Sequence, residues 1–207
     1  MKRLLLTTLL LLSGLCTSAY AEEQNTFHIY LAGKLGYSAT LIDLKDTTTQ
    51  KKKGSTLSSF NIGTAFGGQY YFMKPFGLRI EFEYLFRTKD KTKQNRDILS
   101  SLEITTHTIF TNIYLDWHVI PQLAIYMQSG VGVSIISLEQ EGLYSGSRNT
   151  YGNFVWQAGL GTWYAVKKDT ILDLTVRYVG YTTPHLSNLT VRSLSGIDVI
   201  FSFRYLF

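Results

Sequence analysis

The sequence predicts an all-β protein, an eight-stranded antiparallel up-and-down transmembrane β-barrel. Three observations predict this fold. Apolar side chains recur at every second position over most of the chain, which is the period of a β-strand. The links between these segments alternate between short and long. The chain also ends on a stripe of alternate aromatic residues, which suits a lipid-facing strand that ends at a membrane interface: Phe201, Phe203, Tyr205 and Phe207.

The N-terminal 21 residues are predicted to be a cleaved Sec signal peptide. They contain, in order, two positive residues, an apolar run and a small-residue cleavage site: Lys2 and Arg3, residues 4–15, and Ala19-Tyr20-Ala21. Cleavage after Ala21 leaves residues 22–207 as one outer-membrane barrel domain. Cys16 falls in the signal peptide, so the mature domain contains no cysteine and no thiolate or disulfide chemistry.

Eight segments show the period of two and are predicted as strands. In chain order they are 27–37, 59–72, 77–87, 105–117, 123–136, 153–166, 170–181 and 196–207. In the first four, the apolar faces are Ile29-Leu31-Leu35-Tyr37, Phe60-Ile62-Phe66-Tyr70, Leu78-Ile80-Phe82-Tyr84-Phe86 and Ile109-Ile113-Leu115-Trp117. The third segment is the clearest, because charged residues occupy almost every position between its apolar ones.

The last four segments follow the same pattern, with glycine, serine or charged residues between the apolar positions. Their apolar faces are Ile125-Met127-Val131-Val133-Ile135, Phe154-Trp156-Leu160-Tyr164, Leu172-Leu174-Val176-Tyr178 and Phe201-Phe203-Tyr205-Phe207. The strands have about the 9–11 residues that a tilted membrane strand requires.

The connections predict which end of the barrel faces the periplasm. Short links lie at 73–75, 119–121 and 167–169, and long polar links at 39–58, 88–104, 138–152 and 182–195. In an up-and-down barrel with both termini at one end, all short turns lie at that end. Outer-membrane barrels have this arrangement, with periplasmic turns and long extracellular loops.

The second face of the strands favours a membrane barrel over a soluble, lipocalin-like one. This face is rich in glycine, which suits the crowded inside of a narrow barrel. It also carries charges of both signs, which we expect to pair inside the lumen because an unpaired buried charge is costly. The predicted lumen charges are Arg79, Glu81, Glu83, Arg87, Asp116, Asp173, Arg177 and Arg204. Aromatic residues gather at both strand ends, as two membrane girdles would require.

These segments resemble the opacity-protein-type outer-membrane β-barrels, a group of eight-stranded, OmpA-like surface antigens. The resemblance rests on five stretches in the family's order, namely residues 75–84, 112–116, 130–132, 172–178 and 203–207. It implies a location in the outer membrane of a Gram-negative bacterium and loops that meet the host or the environment. It also implies insertion by the barrel assembly machinery, which would recognise Phe203, Tyr205 and Phe207 as the insertion signal.

The long loops carry the predicted binding residues. The formal charge of +5 falls to +3 when Lys2 and Arg3 are removed, and the excess lies in loops. The basic loop residues are Lys51, Lys52, Lys53, Lys89, Lys91, Lys93 and Arg96. We expect them to contact the phosphates of lipopolysaccharide or a sulfated or acidic host ligand. An alternative is that they keep the barrel soluble and bind nothing specific. A nucleic-acid partner is not expected.

Two other functions are kept as alternatives to a non-catalytic, monomeric surface protein. The stretch 184–188 looks like the His-x-Ser-Asn stretch of the outer-membrane lipid A deacylases. His185 would then be the base, Ser187 the nucleophile and Asp198 the orienting acid. The other alternative is a narrow, porin-like channel for small solutes, although eight strands leave an interior that side chains fill.

No cofactor or metal site is predicted. The remaining histidines, His28, His107 and His118, have no partner at a metal-ligand spacing.

Overall fold

A computed structural model describes residues 26–45, 52–73, 75–91, 102–140, 147–182 and 190–207. They form a closed barrel of eight antiparallel strands that follow one another in sequence order around the ring. The strands are β1 (Phe27–Lys45), β2 (Lys52–Met73), β3 (Phe76–Lys91), β4 (Leu102–Ile120), β5 (Leu123–Gln140), β6 (Ser147–Ala165), β7 (Thr170–Tyr181) and β8 (Thr190–Leu206). Pairing of β8 with β1 closes the ring. The predicted fold class is therefore confirmed.

Closure satisfies the backbone in a solvent that offers no hydrogen bonds. Each strand has a hydrogen-bonded neighbour on both sides, so no sheet edge faces lipid. No helix among the described residues is long and apolar enough to cross a membrane.

The strands are longer than the sequence pattern predicts at the long-loop end. The prediction ends the first strand at residue 37 and begins the second at 59, whereas β1 continues to Lys45 and pairs there with Lys52 of β2. The alternation weakens beyond the membrane because both faces of a strand then meet water. The backbone ladder nevertheless continues, since its N–H and C=O groups are still best satisfied by the neighbouring strand. Much of each predicted long loop is thus strand.

Burial is inverted relative to a soluble protein. The large apolar residues predicted to face lipid are exposed, with Phe66 at 54% and Leu160 at 66%, whereas Arg79 on the opposite face is 1% exposed. An apolar surface of this extent requires an apolar solvent. Lipid therefore surrounds the barrel, and the lipocalin-like alternative is wrong.

The short turns and both ends of the described chain lie at the same end of the barrel. The Phe207 N–H donates to the carbonyl of Ile29 at 2.9 Å, and the Leu206 N–H donates to the carbonyl of Asp169 in the β6–β7 turn at 2.8 Å. In outer-membrane barrels this is the periplasmic end.

Glycine occupies lumen positions where no side chain fits. A Cβ at Gly67 would lie 2.6 Å from the Tyr30 ring, and one at Gly159 would lie 2.6 Å from the Cβ of Arg177. At the outward-facing Gly33, in contrast, a Cβ would meet no atom within 4 Å. The small residues on the inner face therefore make room for the large ones that fill the lumen.

Candidate functional site: a charged lumen and a basic rim

Among the side chains whose burial the structure describes, ten charged ones lie in the lumen, and their charges balance. Each is at most 6% exposed, and they comprise five cations and five carboxylates: Lys34, Arg79, Arg87, Arg177, Arg204, Glu81, Glu83, Asp116, Asp173 and Asp198. Ionised groups in such a setting must be paired, because the desolvation of each costs several kcal/mol. The pairs fall into two clusters.

The turn-side cluster consists of Arg79, Arg204, Asp116 and Asp173. Arg79 Nε lies 2.7 Å from Asp116 Oδ2, and Arg204 Nε lies 2.5 Å from Asp173 Oδ2. A longer contact of 3.8 Å joins Arg79 Nη1 to Asp173 Oδ1 and links the two pairs. Asp116 also accepts a hydrogen bond from the indole N–H of Trp163 at 3.0 Å. Two arginines and two aspartates thus neutralise one another near the periplasmic end.

The loop-side cluster is a chain of contacts in which cations and carboxylates alternate. It runs Glu81–Lys34–Glu83–Arg177–Asp198–Arg87, with N···O distances of 2.6, 2.5, 2.8, 3.2 and 2.8 Å in that order. Glu83 and Asp198, the two carboxylates inside this chain, therefore each lie between two cations. This alternation lets six charges share one narrow space without like charges in direct contact.

Aromatic rings join the clusters and fill the space between them. The guanidinium of Arg79 lies 4.2 Å from the ring centroid of Tyr114 and 4.6 Å from that of Tyr126, a favourable cation–π geometry. The hydroxyls of Tyr30 and Tyr114 donate to Glu81 at 3.0 and 2.7 Å. Glu81 therefore accepts hydrogen bonds from two phenols in addition to its ion pair.

Little free volume remains between the clusters. A cavity there has a volume of about 10 Å³, which is close to the space that one water molecule occupies. Its lining includes Lys34, Glu81, Tyr126, Ser202 and Arg204. The described side chains therefore fill the lumen at this level.

All the charges predicted for the lumen lie inside it and are paired. Sequence reasoning missed the role of Lys34, which bridges two glutamates. A signal was present, because Lys34 shares the inner face of β1 with Tyr30 and Ser38. Which carboxylates it meets depends on contacts across the barrel.

The predicted catalytic triad is not assembled among the described residues. Asp198 accepts hydrogen bonds from Ser38 at 2.5 Å, Arg87 at 2.8 Å and Arg177 at 3.2 Å. Its carboxylate is therefore occupied inside the lumen, away from any lipid substrate. His185 and Ser187 lie outside the described residues.

The basic residues predicted for the first two loops lie partly in strands. Lys52 and Lys53 belong to β2, where they pair with Lys45 and Leu44, and Lys91 belongs to β3, where it pairs with Glu103. Lys89 also falls within β3. The expectation that these four lie in loops is wrong, because the strand ladders continue above the membrane. Lys51, Lys93 and Arg96 lie outside the described residues.

The residues of the predicted insertion signal face outward. Phe203, Tyr205 and Phe207 are 48%, 43% and 73% exposed. The last two rings contact each other edge to face, with centroids 5.2 Å apart. The C-terminal aromatic stripe is thus a surface that a partner or lipid can reach.

A closed, lipid-facing barrel with a charged and filled lumen defines an integral outer-membrane β-barrel protein. The chain belongs to the outer membrane protein beta-barrel domain family, whose model matches residues 7–199. The resemblance drawn from the sequence and the outer-membrane location are thereby confirmed. Cleavage after Ala21 remains a prediction, and residues 1–21 lie outside the described residues.

Two kinds of comparison give named relatives. The outer membrane protein PagN of Salmonella typhimurium is 27% identical over 180 residues, which is 73% of this chain and 73% of PagN. The crystal structure of Neisserial surface protein A is similar with a TM-score of 0.52, at 12% identity over 86% of this chain and 97% of that one. The attachment invasion locus protein Ail of Yersinia pestis gives a TM-score of 0.42, at 11% identity over 88% of this chain and 100% of that one.

Proposed function

We propose that this protein is a non-catalytic surface protein whose extracellular hairpins bind polyanionic surfaces. The observation that carries the proposal is the position of the lysines on two neighbouring hairpins. β1 and β2 carry Lys45, Lys52 and Lys53 at their loop ends, and the β3 end carries Lys89 and Lys91. Because β2 pairs with β3, these hairpins stand side by side on one half of the rim.

The first hairpin extends beyond the apolar band. Tyr37 and Leu41 are the last exposed apolar residues described on the outer face of β1, and the strand continues from Leu41 to Lys45. At about 3.3 Å per residue and a tilt of about 40°, this extension raises the chain about 10 Å along the barrel axis. Paired strands hold their backbone at that height, so the basic residues are presented to molecules outside the leaflet.

The charge of the segments between the strands is uneven along the sequence. Residues 41–58 carry four lysines and two aspartates, residues 88–104 carry four cations and three carboxylates, and residues 138–152 carry Glu139, Glu141 and Arg148. The net charges are thus +2, +1 and −1, so the positive excess belongs to the segments that join β1 to β2 and β3 to β4. Such a patch attracts anions through many weak contacts, which suits a repeating polyanion better than a single small ligand.

Two sources of polyanion fit this chemistry. Phosphates of lipopolysaccharide lie in the same leaflet, and sulfated or acidic glycans lie on host surfaces. We also propose that the barrel is a monomer and that the barrel assembly machinery inserts it into the outer membrane. A nucleic-acid partner does not fit a protein whose basic patch faces outward from the cell surface.

A charge-reversal experiment tests this function. The variant Lys45→Glu/Lys52→Glu/Lys53→Glu should bind dextran sulfate at least tenfold more weakly than the wild type, because three attractions become repulsions. Lys167→Glu/Lys168→Glu, at the periplasmic turn, is the matched control and should bind like the wild type on intact cells. Lipopolysaccharide with and without phosphates distinguishes a leaflet partner from a glycan. Equal binding of dextran sulfate by all three proteins would contradict the proposal.

The two alternative functions have weaker support. A solute channel needs a continuous aqueous path, and the paired charges leave room for about one water in the cavity described above. A lipid A deacylase needs a free acid beside its histidine, and Asp198 is bound to Arg87 and Arg177.

A further inference from the structure

Among the described residues, the lipid-facing surface carries a hydrogen-bonded polar pair, Tyr84 and His107. His107 points outward from β4 and is half-buried, and its Nδ1 lies 2.8 Å from the hydroxyl oxygen of Tyr84 on β3. Its ring also packs against Phe86, with centroids 5.0 Å apart. Among the outward strand side chains whose burial is described, His107 is the one that can carry a positive charge. An ionisable residue on a membrane-facing surface is by default a candidate functional site.

The height of His107 matches the headgroup layer of the outer leaflet. Trp117, near the periplasmic turn, is the outward aromatic residue of β4 at the other membrane boundary. Ten residues separate the two positions, which at about 3.3 Å per residue and a tilt of about 40° corresponds to about 25 Å. This is the height of the apolar band of an outer-membrane barrel. The imidazole therefore lies where hydrocarbon gives way to phosphate.

The pair has a proton to donate in each of its protonation states. If Tyr84 donates to Nδ1, the neutral imidazole carries its proton on Nε2. If Nδ1–H donates to Tyr84, the phenol proton is free. When His107 is protonated, the Nε2–H and the phenol O–H are both available and the ring is positive. A ligand that fits must therefore be an acceptor, and it binds best if it is an anion.

We propose that Tyr84 and His107 bind a phosphate of lipopolysaccharide in the outer leaflet. The neighbours of His107 add no competing charge. From β5 it faces Ile135, its direct pair, and Val133; from β3 it faces Tyr84 and Phe86; on β4 itself its outward neighbours are Thr105 and Ile109. Tyr84 is thus the one titratable group that faces it from these strands. The site is separate from the lysine-bearing hairpins, so either proposal can fail without the other.

Lipid A provides the probe. The purified full-length mature barrel in detergent micelles is titrated with lipid A that retains its phosphates and with lipid A from which they have been removed. We expect the wild type to bind the phosphorylated form about tenfold more tightly. His107→Leu should reduce this preference to about twofold or less, and Tyr84→Phe should reduce it partly. Ile109→Leu, the next outward position on β4, is the matched control and should keep the full preference.

Folding and charge are controlled separately. Unheated samples of each variant should migrate as the compact barrel on a gel. His107→Gln keeps hydrogen-bonding groups without a charge, so it should retain part of the preference. An unchanged phosphate preference in folded His107→Leu would overturn the proposal.

Discussion

At the scale of single residues, the energetics of this barrel depend on carboxylates that each serve several partners. Glu81 accepts from Lys34, Tyr30 and Tyr114, and Glu83 joins Lys34 to Arg177. Removing one member of such a set leaves its partners buried without a counter-charge or acceptor. The loss is therefore larger than the net contribution of any one ion pair.

Glu81→Leu is expected to lower the free energy of unfolding by about 3–5 kcal/mol. The substitution leaves two phenol hydroxyls without an acceptor and gives the lumen a net positive charge. Denaturant unfolding of the barrel in lipid vesicles, followed by tryptophan fluorescence, measures the change.

The double variant Lys34→Met/Glu81→Leu is the control for this prediction. It restores the balance of charge, and Glu83 keeps Arg177 as a partner. It should cost less than the sum of the two single variants. An unchanged unfolding midpoint for Glu81→Leu would mean that the contacts of Glu81 in the lumen do not contribute to the stability of the barrel.

At the scale of the strands, β8 closes the ring. It pairs with β7 on one side and with β1 on the other. Phe207, which follows β8, donates one further backbone hydrogen bond to the carbonyl of Ile29. The exposed ring contributes little to closure within the barrel, so we attribute the terminal aromatic stripe to recognition during insertion.

Deletion of Phe207 is expected to reduce the amount of barrel in the outer membrane by about tenfold or more. The amount of folded protein in membrane fractions measures this change. The same variant should fold into detergent or lipid in vitro almost as well as the wild type, because it lacks one hydrogen bond of about 1 kcal/mol. Normal membrane levels would argue against the recognition role. Failure to fold in vitro would show that the residue acts through stability instead.

At the scale of the whole molecule, the two ends of the barrel differ in structure. At one end only a few residues separate β2 from β3, β4 from β5 and β6 from β7, while at the other end the strand ladders extend beyond the membrane band. In outer-membrane barrels the short turns are periplasmic. Lys167 and Lys168 are exposed at the turn end, so the same protease can probe both ends.

Trypsin added to intact cells should cleave the chain in the lysine-rich segments 51–53 and 89–96 and leave 167–168 intact. Permeabilising the outer membrane should then expose the 167–168 site. Mass spectrometry of the fragments identifies the cleaved bonds. Cleavage at 167–168 in intact cells, with protection of 51–53, would mean that the barrel is inserted in the opposite orientation.

The alternation of apolar and polar residues is enough to predict the architecture and the inward or outward direction of the side chains. A period of two is enough for this, because a strand places alternate residues on opposite faces and a one-residue error would reverse them all. Phe82 therefore faces lipid and the next residue, Glu83, faces the lumen, as the alternation predicts. The alternation does not predict where the strands end on the long-loop side of the barrel, because it weakens where water contacts both faces of a strand.

Which groups meet across the lumen depends on the tertiary structure. Lys34 of β1 contacts Glu83 of β3, and Arg177 of β7 contacts the same carboxylate, although no local pattern relates these positions. The pairing of Tyr84 with His107 on the outer surface likewise depends on the register between β3 and β4. Alternation along a strand determines which face each side chain occupies. Which side chains meet on that face depends on the stagger between neighbouring strands, and in a closed ring this stagger is set by all eight strands together.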